Sequence, residues 1–224
     1  VLHVKDYVPG VPMLLLLISC SIAAFLLCIL ITPLILKLAH HKDWLDNPNH
    51  RSVHKDPVPR LGGVGIFLSF FLAMAMAFIW DGFSDGVLPV AAKSLTSLYV
   101  LLGLLSTFIL GLLDDFWQFR AVYKFLLQLL GALLAIGAGL TVDQLSIPFT
   151  SFVVQLGPFG PFLTLLWIIG ITNAVNLIDG MDGLAGGYSV LAFTAVGITM
   201  AMTGHWFAAT GCFIIVGAVL GFLV

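Results

Sequence analysis

Charge is scarce in this sequence. Only 9% of its 224 residues are charged, and glutamate is missing altogether, so all eleven acids are aspartates. A soluble domain carries about a quarter of its residues as charge. The shortfall excludes an ordinary water-facing surface, and 60% hydrophobic content with a mean hydropathy of +1.12 says the same. Nine Lys and Arg leave a net charge of −2, which excludes a basic face for nucleic acid. Cysteine is sparse too, at three residues. Cys20, Cys28 and Cys212 each lie inside an apolar run, which excludes a disulfide framework or a zinc-ligand spacing and fits small buried hydrophobes.

What is present is a series of apolar runs, at about 12–38, 61–80, 95–113, 124–140, 161–178, 184–203 and 206–224. A bilayer crossing needs roughly 20 apolar residues. Inside lipid each run must be helical, because an open strand would leave backbone groups unpaired. The fold class expected is therefore all-α, a polytopic transmembrane bundle of about seven helices forming one membrane domain over 1–224. The first run is too long for a signal peptide and has no cleavage-like end. Because the chain starts at Val1 and stops at Val224 within an apolar run, it reads as a fragment of a longer protein. Segment 141–160 is interrupted by Pro and Gly, and its alternation predicts an external hairpin or interfacial loop.

Lys and Arg set the orientation. The loop around 38–60 with its flank carries Lys37, Lys42, Arg51, Lys55 and Arg60, and the loop after the third run carries Arg120 and Lys124. The opposite loops hold only Lys93, with Lys5 at the N-terminus. Seven of the nine basic residues thus share one side, expected to be the cytoplasm, with loops at about 39–60, 114–123 and 179–183.

Three polar clusters fall on that side: "DNPNHRSVHKDPVPRLGG" (46–63), "GLLDDFWQF" (111–119) and "NAVNLIDGMDGLAGG" (173–187). Asp114 and Asp115 are adjacent carboxylates at a helix end, where a divalent cation or a proton would relieve their repulsion and desolvation. A solvated helix end is the plainer alternative. In the third cluster Asn173, Asn176, Asp179 and Asp182 recur every three residues. While the helix lasts, the first three share one broad face, until Gly180 and Gly183 break it and leave Asp182 in a turn. Asn offers both a donor and an acceptor, suited to a base edge or sugar hydroxyls. The Asp81-Gly82 and Asp85-Gly86 pairs read as simple turns, but polar groups two turns inside an apolar span need partners. In the first cluster Pro57 and Pro59 hold an extended backbone, Gly62-Gly63 allow a close turn, and Arg51, His54, Lys55 and Arg60 offer cations for a diphosphate or lipid phosphate. Anchoring to anionic lipid explains the same charges. His40, His41, His50 and His54 lack the partners of a zinc site. Cations, paired acids and amides on one face together describe phosphoryl transfer from a nucleotide-sugar.

"NPNHRSVHKDPVPRLGG", "GLLDDFWQFRAVYKFLLQ" and "GITNAVNLIDGMDGLAGG", in this order, resemble the polyprenyl-phosphate N-acetylhexosamine-1-phosphate transferases, glycosyltransferase family 4. The likeness is strongest to the WecA-like bacterial branch, with phospho-MurNAc-pentapeptide transferase as a relative, and it runs from about residue 12 to 224. The resemblance implies a multi-pass protein of the bacterial inner membrane with its active site on the cytoplasmic face. There it moves N-acetylhexosamine 1-phosphate, GlcNAc being the expected sugar, from a UDP-sugar to undecaprenyl phosphate, with release of UMP. Mg²⁺ is the implied cofactor and Mn²⁺ its substitute. Asp114 and Asp115 match the family's double-Asp motif, acting jointly on the lipid phosphate or the metal. Asn176, Asp179 and Asp182 match the second acidic motif, tied to nucleotide binding and catalytic geometry, with Asn173 beside them. His54 and Lys55 stand near phosphate. Metal binding is expected at Asp115 and Asp179, with a further ligand beyond residue 224. The family has about ten or eleven membrane helices and later motifs that this sequence does not contain, so the segment by itself is expected to be inactive. An ion- or proton-coupled transporter is the rival reading, since it too uses intramembrane acids, but it predicts charge at the midplane rather than at one face. A scaffold subunit is the third. Membrane lipids surround the protein on any of these readings; the sugar, the downstream polymer and the existence of a homodimer are left open.

Overall fold

A computed structural model describes residues 11–46, 58–59, 61–82, 95–117, 119–147, 149–150, 152–179 and 183–224. Seven helices lie among them: α1 (Val11–His41), α2 (Gly62–Gly82), α3 (Leu95–Trp117), α4 (Ala121–Gly137), α5 (Gly160–Ile178), α6 (Leu184–Met202) and α7 (Trp206–Leu223). The seven apolar runs each become one helix, and six of the helices are long and apolar enough to cross a membrane. The exception is α4, whose 17 residues reach roughly 25 Å at 1.5 Å per residue. It ends earlier than its apolar run because the chain turns at Gly139, which has a φ of 81°.

Within 141–160 the described residues contain a hairpin, one of the two forms expected there. Strands β3 (Gln144–Ser146) and β4 (Val153–Gln155) pair antiparallel, with Leu145 opposite Val154. A second short pair, β1 (Leu45–Asp46) with β2 (Val58–Pro59), brings the ends of the first loop together.

The chain divides into two compact units, Val1–Val90 with Gly186–Val224, and Ala91–Ala185. In the first, α7 packs on α1 and α2. Its core joins Met13, Leu16, Cys20 and Ala24 of α1 to Ala73 and Ala77 of α2 and Ile214 and Ala218 of α7. Small residues dominate because lipid is as apolar as leucine, so helices associate through close van der Waals packing rather than by escaping water. The outward face of α1 shows the complement: Leu14, Ile18, Ile22, Leu26, Leu30, Leu34 and Leu38 form an exposed stripe at every fourth residue. Gly217 and Gly221 of α7 lie so close to α1 that an added Cβ would collide with the carbonyl oxygens of Ser21 and Phe25 respectively. The three cysteines are buried free thiols.

The second unit is a zigzag of α3, α4, the β3–β4 hairpin and α5, with α4 packed against both α3 and α5. Thr164 of α5 ties the hairpin down: its hydroxyl donates to the Gly160 carbonyl (2.8 Å) and accepts the Val142 N–H (2.9 Å). Most other hydroxyls inside the helices, such as Ser69, Thr107 and Thr172, donate to a carbonyl one turn back. This satisfies them within their own helix.

Candidate functional site

Because α3, α4 and α5 run alternately up and down, the end of α3, the start of α4 and the end of α5 meet at one end of the second unit. The polar residues of the second and third clusters are carried there. The α3 helix continues through the double aspartate to Trp117, a turn further than the apolar run alone predicts, because the N–H groups of the last turn bond to carbonyls one turn back whatever the hydropathy of their side chains.

Asp114 closes the α3–α4 turn. Its Oδ1 accepts the Phe119 N–H at 2.9 Å, and its Oδ2 meets the Lys124 ammonium at 2.7 Å. The lysine is thus the partner that relieves the carboxylate, a third solution beside the cation or proton expected from sequence. The pair is partly exposed, at 37% for the Lys124 side chain and 26% for Asp114. Asp115, the next residue, is exposed near the helix end.

Lys124 also lines a cavity of about 420 Å³ with Phe119, Ala121, Phe125, Gln128, Asn173 and Asn176. Two aromatic rings, a cation and three amides surround this basin. Asn173 and Asn176 therefore do share one face, as their spacing predicts, and α4 supplies the opposite wall. Asn173 is doubly held. Its Nδ2 donates to the Ile169 carbonyl at 2.8 Å and across to Gln128 Oε1 at 2.9 Å. Asp179 caps α5 in an exposed position, its N–H donating to the Val175 carbonyl at 3.1 Å. Beyond Gln128 a second cavity of about 220 Å³ opens between α3, α4 and α5, lined largely by apolar and small residues, among them Val100, Gly103, Leu104, Gly131 and Ala132.

His54, Lys55 and Asp182 lie outside the described residues. Of the predicted site residues, then, the structure brings Asn173 and Asn176 to one basin and Asp114 to its edge through Lys124, with Asp115 and Asp179 at the ends of α3 and α5. Among the described residues no group of three or more His, Cys or acidic side chains is gathered as a ready metal cage.

Sequence reasoning valued Lys124 only for topology and passed over Gln128 and Phe119. The missed signal was the spacing of Lys124 and Gln128. Two polar residues at i and i+4 in an otherwise apolar helix occupy one face, and that face needs polar company.

Comparison with known proteins agrees with the motifs. The model of "Glycosyl transferase family 4" matches residues 97–224. A probable undecaprenyl-phosphate N-acetylglucosaminyl 1-phosphate transferase of Bacillus subtilis is 34% identical over 203 residues, 90% of this chain and 53% of that protein. The undecaprenyl-phosphate alpha-N-acetylglucosaminyl 1-phosphate transferase of Escherichia coli K12 is 31% identical over 189 residues, 84% of this chain and 48% of its own length. A phospho-N-acetylmuramoyl-pentapeptide-transferase of Listeria monocytogenes is 32% identical over 226 residues, 94% of this chain and 67% of its own. The chain spans about half the length of the first two relatives. The family match takes in the double-aspartate turn, the basin and the Asn173–Asp182 stretch alike, and the chain belongs to glycosyl transferase family 4.

Proposed function

We propose that this chain is the N-terminal part of an enzyme that transfers N-acetylglucosamine 1-phosphate from UDP-N-acetylglucosamine to undecaprenyl phosphate. A phosphate oxygen of the lipid attacks the phosphorus that carries the sugar. The bond from that phosphorus to the bridging oxygen breaks, UMP leaves with the electron pair, and the lipid keeps the sugar as a diphosphate. The observation that carries the reading is the basin at one end of the α3–α4–α5 unit, where Lys124 is shared between Asp114 and a cavity walled by Asn173 and Asn176. A site serving a soluble nucleotide-sugar and a membrane-bound acceptor must lie at the interface, and these residues occupy helix ends.

Each side chain then has work suited to its chemistry. Lys124, held by Asp114, offers a positive charge to a phosphate, which costs little reorganisation because the ammonium is already fixed. Asn173 and Asn176 offer amides to sugar or uracil groups. Phe119 and Phe125 give the basin aromatic walls. Asp115 and Asp179 are the carboxylates that would hold Mg²⁺. They are hard oxygen donors of the kind it takes, one or two at a time, with water and substrate phosphates completing its shell. When bound, the ion would neutralise charge on the diphosphate. The basic residues of the first loop, His54 and Lys55 among them, are proposed to meet phosphate on the same cytoplasmic side, as the clustering of Lys and Arg supports.

The test uses the full reading frame that contains this chain, in detergent with Mg²⁺, following UMP release from UDP-N-acetylglucosamine with and without undecaprenyl phosphate. Release that depends on the lipid establishes the transferase. A folded protein that releases no UMP from this or any other UDP-N-acetylhexosamine overturns the reading.

A further inference from the structure

We propose that Gln128 is a positioning residue: it fixes the Asn173 amide so that Asn173 meets the contents of the basin as a hydrogen-bond acceptor alone. The inference rests on the reading of the basin as the nucleotide-sugar site.

The reasoning starts from a group whose chemistry is unambiguous. The Ile169 carbonyl can only accept, so the Asn173 atom 2.8 Å away must be the amine Nδ2. That amine has two hydrogens. The second goes to Gln128 at 2.9 Å, and Gln128 must therefore present its carbonyl Oε1 there. Both N–H groups of Asn173 are then used, and Oδ1 is the polar atom it has left. Among the described residues Oδ1 takes no hydrogen bond, while Asn173 lines the basin. The site so built favours a ligand group with hydrogen to donate, such as a sugar hydroxyl, the acetamido N–H or the imide N–H of a pyrimidine.

Gln128 stands in a position to enforce this. It lines both the polar basin and the apolar cleft behind it, so its contact with Asn173 lies where the two meet. Without it the Asn173 amide would keep one anchor on its own helix, and its second N–H would compete for the ligand. Terminal amide torsions are broad and weakly held, so one anchor leaves the orientation loose.

The experiment measures kcat/KM for UDP-N-acetylglucosamine in the full-length protein with Gln128→Leu, Gln128→Glu, Asn173→Ala and the Gln128→Leu/Asn173→Ala double variant, alongside their melting temperatures. Gln128→Leu is expected to lower kcat/KM by roughly tenfold, the upper end for one neutral hydrogen bond, and to lower it no further in the Asn173→Ala background. Gln128→Glu, which still accepts from Nδ2 and whose charge lies one turn from Lys124, is expected to stay within about threefold of the wild type. Melting temperatures should not follow this order. Gln128→Met serves where Leu is not tolerated. The inference is overturned by an unchanged Gln128→Leu, by losses that multiply in the double variant, or by a Gln128→Glu as poor as Gln128→Leu. Lipid-dependent activity in the wild type alongside any of these leaves the transferase reading standing; a wild type inactive on every UDP-N-acetylhexosamine overturns both.

Discussion

Asp114 and Asp115 have the same side chain and adjoining positions, yet the fold puts them to different use. Both oxygens of Asp114 are engaged within the α3–α4 turn, by a backbone N–H and by Lys124. Asp115 is exposed beside it, and on the function proposed above it would work on phosphate or metal. Asp115→Asn is expected to cut turnover at least ~100-fold, the scale for losing a key electrostatic group, and a UMP-release assay showing near-normal rates would remove it from the site. Lys124→Met tests the other side of the pair. A partly exposed ion pair contributes at most about 1 kcal/mol to stability, so the melting temperature should move little, whereas KM for the UDP-sugar should rise at least tenfold if the ammonium meets a phosphate, as the loss of a charge-assisted hydrogen bond predicts. A large drop in melting temperature with unchanged kinetics would make Lys124 a structural residue only.

At the scale of elements, the helices obey the rules of packing in lipid. The exposed stripe of α1 is leucine and isoleucine, while its buried face sets Cys20, Ala24, Cys28 and Ala39 among Met13, Leu16, Leu17 and Ile35; the small residues are the ones that let helices approach closely. Gly217 and Gly221, four residues apart on α7, are where that approach is tightest. Gly217→Val should force α7 away from the Ser21 carbonyl and cost about 1–3 kcal/mol, as overpacking does. The measurement is the thermal midpoint of the protein in detergent. The same change at Gly187, which has nothing within 4 Å of an added Cβ, should be far milder, and equal effects at the two positions would refute the packing argument. The elements themselves were largely legible. Every apolar run became a helix and 141–160 a hairpin, because hydropathy and Pro/Gly punctuation act locally. The ends were less so: α3 runs on through its two aspartates, since backbone bonding can carry a helix past the point where its side chains cease to be apolar.

For the whole molecule, the distribution of Lys and Arg predicts a double-aspartate turn that faces the cytoplasm and a β3–β4 hairpin that faces the other side. Single cysteines introduced into a background freed of the three natural ones test this with a membrane-impermeant maleimide. Ser146→Cys in the hairpin should label in intact spheroplasts, and Val122→Cys at the start of α4 only after lysis. Both native side chains are exposed, so accessibility to reagent is not limited by burial. The reverse pattern would put the basin on the wrong side for a cytoplasmic nucleotide-sugar.

The sequence by itself determined that this is a membrane-spanning helical protein, roughly where each helix lies, and, through three motifs, the family to which it belongs. These follow from hydropathy, helix period and residue order, all of which are written along the chain. Tertiary structure alone decided the partnerships across helices. Asn173 and Gln128 are 45 residues apart, and Asp114 finds Lys124 only because α4 turns back against α3. Which residues face each other depends on how each helix is rotated and how deeply it packs, and no local pattern carries that information.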